Sequence, residues 1–66
     1  MRVMKDGFVY KLVSSDKAKD IFSLGLFDLY VIHNDDSESL IDSINELNEA
    51  LEKGNEIGIA VGNINF

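Results

Sequence analysis

Apolar residues recur along this chain with two periods, and the change from one to the other marks out its elements. Residues 8–13, Phe8-Val9-Tyr10-Lys11-Leu12-Val13, alternate in steps of two and are rich in aromatic and β-branched side chains, which predicts a strand. Just before it, Asp6-Gly7 tolerates the positive φ of a tight turn, so residues 2–5 either pair back as a short extra strand or Gly7 is a bulge in one longer strand. Ser14-Ser15-Asp16 then offers side-chain oxygens to the first amides of a helix. Ala18, Ile21 and Phe22 share one face of that helix, and Gly25 stands where a left-handed residue would stop it. Residues 27–33 read as a second strand, Asn34-Asp35-Asp36-Ser37 as a turn, and residues 38–42 as the returning strand. Ser43-Ile44-Asn45-Glu46 fits a capping box, in which Ser43 accepts from the amide three residues on and Glu46 reaches back to the Ser43 amide. Ile44, Leu47, Ala50 and Leu51 form the stripe of a second helix that ends at Gly54, and residues 57–62 alternate large with small as a last strand.

The order β-α-β-β-α-β predicts an α+β fold in two layers, a four-stranded, mainly antiparallel sheet with both helices on one face. Two strand orders suit it: the ferredoxin-like split βαβ, and a variant in the spatial order 1-4-2-3. The variant is favoured because the third strand is polar enough for an edge, whereas the last is apolar almost throughout.

Period-two alternation divides each strand between the two faces of such a sheet. If Phe8, Tyr10 and Leu12 pack on the helices with Phe27, Leu29, Val31, Leu40, Ile57, Ile59 and Val61, the uncovered face carries Val9, Val13, Tyr30, Ile32, Ile41 and Ala60. Tyr10 and Tyr30 then lie on opposite faces. So apolar a surface calls for a cover: a second copy of the chain, which is the first choice, a protein partner, or the tail Asn63-Ile64-Asn65-Phe66.

Length confines all this to one domain, since the chain has 66 residues. It has no cysteine, so neither a disulfide nor a thiolate metal site helps a core of this size. The net charge of -6 argues against nucleic acid as a partner. Charge is also uneven: residues 1–20 carry five bases and three acids, residues 21–66 one base and nine acids. Asp35, Asp36 and Glu38 together with Glu46, Glu49 and Glu52 form a candidate acidic patch for a basic protein. No apolar run approaches a membrane span or a secretory leader, which leaves the cytoplasm as the expected location.

Chemical signatures are sparse. The acids of residues 34–38 lack the spacing and the distant bidentate glutamate of a calcium loop, and a four-residue turn would set His33 opposite Glu38 rather than in a triad. Gly54, Gly58 and Gly62 fit no phosphate-binding motif. Neither a cofactor nor a catalytic group is expected.

The stretch Leu29-Tyr30-Val31-Ile32 through Asp36-Ser37-Glu38-Ser39-Leu40-Ile41, then Leu47 to Gly54 and Ile57-Gly58-Ile59, resembles small α+β domains of phage and conjugative-element proteins, the large polyvalent-protein-associated kind. The resemblance covers about half the chain and rests on hydrophobic spacing and a turn. It implies an accessory protein of a bacterial mobile element and brings no catalytic residues with it. Together these readings predict a small, acidic, non-catalytic protein-interaction module. The alternatives are a small-molecule or metal-binding domain, or an RNA-binding sheet.

Overall fold

The computed structural model describes residues 2–4 and 6–63, and its elements follow the predicted order with one addition. Strand β1 (Arg2–Val3) precedes β2 (Phe8–Val13), α1 (Ser15–Leu24), β3 (Leu29–Ile32), β4 (Glu38–Leu40), α2 (Ile44–Glu52) and β5 (Glu56–Asn63). The sheet therefore has five strands, in the order β1-β2-β5-β3-β4, and every neighbouring pair is antiparallel. The four expected strands keep the 1-4-2-3 arrangement, and the short N-terminal strand adds an edge beside the first of them.

Both helices end as their sequences dictate. The Ser14 hydroxyl accepts from the Lys17 amide at 3.3 Å, and the Ser43 hydroxyl from the Glu46 amide at 3.2 Å. The capping box differs in one respect: the Glu46 carboxylate accepts from the Asp42 amide, one residue before the cap. At the C-termini, Gly25 and Gly54 take φ of 64° and 74°. That conformation lets the Leu26 amide donate to Ile21 O and the Asn55 amide to Ala50 O, closing the last turns.

The helices cover one face of the sheet. Ala18 of α1 and Leu47 and Ala50 of α2 bury against Leu29, Val31 and Ile57, with Val13, Ile21, Phe22, Leu51 and Ile59 packed around them. Five expected members of this core are exposed: Phe8 and Leu12, which share the Tyr10 face of β2, Leu40, Phe27 and Val61. Phe27 precedes β3 instead of lying in it, and Val61 sits where β5 carries one more residue than β2, since Val9 pairs with Gly62 but Tyr10 with Ala60.

The second face is buried in part. Met4, Tyr10 and Ile32 form a separate cluster there, with Tyr30 packed against it. The Tyr10 and Tyr30 rings meet edge to face, their centroids 5.1 Å apart, so they share a face rather than taking opposite ones. Gly58 lies between them on β5, opposite both Leu12 and Tyr30. The irregularity in the β2–β5 register bends the ladder, as an extra residue in one strand does, and the β1–β2 hairpin curls across the sheet. Arg2 thereby reaches Asp36 in the β3–β4 turn, at 2.7 Å, and Glu56 at the start of β5.

Both hairpins turn in the same way. Met4 donates to Phe8 O and Gly7 to Met4 O, with Gly7 at φ 86°; His33 donates to Ser37 O and Asp36 to His33 O, with Asp36 at φ 65°. Each is a three-residue loop whose last member is left-handed. A four-residue turn would have set Leu40 opposite Val31, on the helix side. The shorter loop sets it opposite Tyr30, and a one-residue slip reverses a whole strand.

Candidate interaction surfaces

The residues that the sequence singled out are scattered over several parts of the surface and the core. The face away from the helices does hold Tyr30, Ile32 and Ala60. Tyr30 and Ile32 are covered from within the chain, by Met4 and Tyr10, and only Ala60 is exposed. Val13 and Ile41 are corrected to the opposite side, where both contribute to the core under the helices. Val9, opposite Gly62 and out of phase with Tyr10, also lies on the helix side and is half-buried. The tail proposed as a cover lies outside the described residues beyond Asn63.

What could have placed Tyr10 correctly is the smallness of Gly58 and Ala60. Two small residues on one face of a central strand leave a trough that bulky side chains from the strands on both sides can fill. The side chains of Tyr10 and Tyr30 fill it from β2 and β3.

The six acidic residues do not make a single patch. Asp35, Asp36 and Glu38 line a shallow depression of about 250 Å³ together with Asp6 from the other hairpin. Asp36 is engaged by Arg2, and Asp35 Oδ1 accepts from the Ser37 amide and hydroxyl. The Glu38 carboxyl is held above the ordinary glutamate range, first by burial and then by its hydrogen bond to Asp6 and the Asp6 charge. Glu46 and Glu49 line a different depression, of about 190 Å³, with His33, Ser39 and Lys53. There Lys53 pairs with Glu49 at 2.8 Å and lowers its carboxyl, while Glu46 serves the α2 cap; Glu52, at the end of α2, lines neither. Among the described residues no three acidic or imidazole groups are placed to hold a metal ion.

His33 faces Ser39 rather than Glu38: its Nε2 lies 2.9 Å from Ser39 Oγ. A serine beside an imidazole is two parts of a nucleophile system. A third group orienting the ring and donors for an oxyanion are its other requirements. Among the described residues no carboxylate is hydrogen-bonded to this ring, which follows β3 half-buried, while Ser39 lies exposed on the edge strand β4.

The surface that sequence reasoning missed lies beside α1. Leu24, Leu26 and Phe27 are 69%, 59% and 60% exposed, three large apolar side chains within four residues. They follow from the helix stop at Gly25, which turns the chain before β3 begins at Leu29. Leu26 and Phe27 form one end of a groove of about 620 Å³, which continues over Ile21 and Lys17 of α1, Ile59 of β5 and Lys11, Leu12 and Val13 of β2. The signal for it was in the sequence: the apolar run Leu24 to Phe27 spans a helix stop, so its side chains cannot all share one buried stripe.

No family of proteins, no curated protein and no solved structure matches this chain. No helix among the described residues is long and apolar enough to cross a membrane.

Proposed function

We propose that the chain is a small, non-catalytic protein-interaction module of the cytoplasm and that it binds its partner through the groove between α1 and β2, with Leu26 and Phe27 as anchors. The observation that carries this reading is the exposure of Leu26 and Phe27 in a groove that is also lined by Ile21, Ile59 and Leu12. Contiguous exposed apolar surface on a small domain is where association brings most free energy, because each apolar Å² removed from water contributes about 25 cal/mol. The opposite face, first choice for a homodimer on sequence grounds, is less suited to that role, since its Tyr10 and Ile32 are already buried by Met4. The resemblance of residues 29–59 to domains of mobile-element proteins supports an accessory role there.

The reading is tested by affinity capture with three baits: the parent chain, Phe27→Asp and Leu40→Asp. Both substituted positions are exposed, so the fold is expected to survive in each. A stoichiometric partner held by the parent and by Leu40→Asp but lost with Phe27→Asp supports the groove. Loss with Leu40→Asp alone would move the interface to the other face, and a captured set indifferent to both would refute the module.

A further inference from the structure

We infer that the groove beside α1 takes an extended segment carrying apolar and acidic side chains on one face, added as a strand to the unpaired edge of β2. This inference rests on the reading of the groove as the binding surface and names the chemistry of what enters it. Two independent features of the groove point the same way.

One is charge. Lys11 and Lys17 both line the groove, and neither forms an ion pair among the described residues, although the chain has twelve acids. The other bases whose side chains are described are Lys19, also outside any ion pair, and Arg2 and Lys53, both paired with carboxylates. Asp20 is the single acid on the lining, so the groove is a positive site on a strongly negative protein. A basic segment would meet two ammonium groups against one carboxylate there, whereas an acidic one would find both ammonium groups beside the apolar lining.

The second feature is a strand edge. Among the described residues β1 pairs with β2 at Val9 and Tyr10, and Leu12 and Val13 are bounded by β5 on one side and by no strand on the other. Both residues also line the groove. A segment laid along that edge would gain backbone hydrogen bonds while every second side chain lay beside Lys11 and Val13 on the groove side of the sheet, the strand-addition mode of peptide recognition, and its end could cross over Ile59 toward Leu26 and Phe27.

The probe is a blocked hexapeptide in which leucine, glutamate and leucine alternate with serine, so that one face of the extended form carries both chemistries. It is titrated into the full chain labelled for amide NMR, beside a version with lysine in place of glutamate and one with serine in place of both leucines. The expected result is a saturable shift of the Leu12, Val13, Phe27 and Ile59 amides with the acidic probe at millimolar concentration or below. Both other probes are expected to bind more weakly. The double variant Lys11→Glu/Lys17→Glu should weaken the acidic probe about five- to tenfold, the effect of two exposed ion pairs, and strengthen the lysine probe.

Equal binding of the acidic and basic probes, shifts confined to the Tyr30 and Ile32 side, or no saturable shift would overturn the inference. So would probe-free, concentration-dependent shifts of the same four amides, which would give the groove to a second copy. In each of these cases the loss of partner capture by Phe27→Asp still stands or falls separately, so the failure of this inference and that of the proposed function can be told apart.

Discussion

Gly58 lies beneath the buried Tyr10 and Ile32, and a single methyl group there should be felt. A Cβ placed on Gly58 would come 3.1 Å from Tyr10 Cβ, 3.3 Å from the Lys11 carbonyl oxygen and 3.6 Å from Ile32 Cδ1. Carbon atoms in comfortable contact stand about 3.5–4.0 Å apart, so the first contact must open by several tenths of an ångström. Neither close neighbour is the free end of a flexible side chain. Tyr10 is held by Arg2 on one side and Ala60 on the other, and the Lys11 carbonyl belongs to a paired strand. Overpacking of this kind costs about 1–3 kcal/mol, and it is offset by the ~0.5–1 kcal/mol that alanine gains over glycine in a strand by restricting the unfolded chain. Gly58→Ala should therefore lose about 1 kcal/mol, which in a domain of this size lowers Tm by roughly 4–8 °C. Gly62 provides the control, because a Cβ there meets nothing within 4 Å, so Gly62→Ala keeps the gain without the cost. The assay is thermal and urea unfolding of the two variants and the parent, followed by circular dichroism. A Gly58→Ala protein as stable as the parent, or one that moves together with Gly62→Ala, would refute the packing of Tyr10 against Tyr30 across β5.

Ser43→Ala removes the hydroxyl that caps α2 and should cost about 1 kcal/mol, read as a fall in urea midpoint that Ser43→Asp largely restores. Met4→Ala uncovers the Tyr10–Ile32 cluster, and a loss toward the low end of the ~2–5 kcal/mol range for such truncations is expected, with increased binding of a hydrophobic dye. Because the Glu38 carboxyl is raised in the folded state, the folded protein holds that proton more tightly, and this contribution to stability is present at low pH and lost as pH rises through the raised value. Glu38→Gln should remove that decline from a series of urea midpoints between pH 4 and 7. Glu49 has the opposite sign: lowered by Lys53, it contributes above the ordinary glutamate range and is lost as pH falls, so Glu49→Gln should flatten the acid limb of the same series.

The chain's local instructions were legible without a structure. Ser14 and Ser43 cap helices, Gly25 and Gly54 end them, and Leu47 and Ala50 face inward, because each depends on groups within a few residues of sequence. The polarity of residues 38–42 against the apolar run at 57–62 also placed the last strand inside the sheet, since a central strand has no side that meets water. Alternation showed which residues of a strand share a face. It could not show which face the helices would take, because that is decided by register, which turn length sets within a hairpin and contacts distant in sequence set between the other strands. One residue of turn length moved Leu40 to the far side and Ile41 into the core; the pairing of Val13 with Ile57 did the same for β2, and carried Tyr10 across to Tyr30. Nor could composition foretell that Tyr10 and Ile32 would be buried on the second face, which depends on a hairpin bent over the sheet and tied by Arg2 to acids 34 and 54 residues away. The exposed run at Leu24 to Phe27 follows from the same cause: the helices cover one face and the first hairpin part of the other, and the side chains at the turn between α1 and β3 are left outside the core.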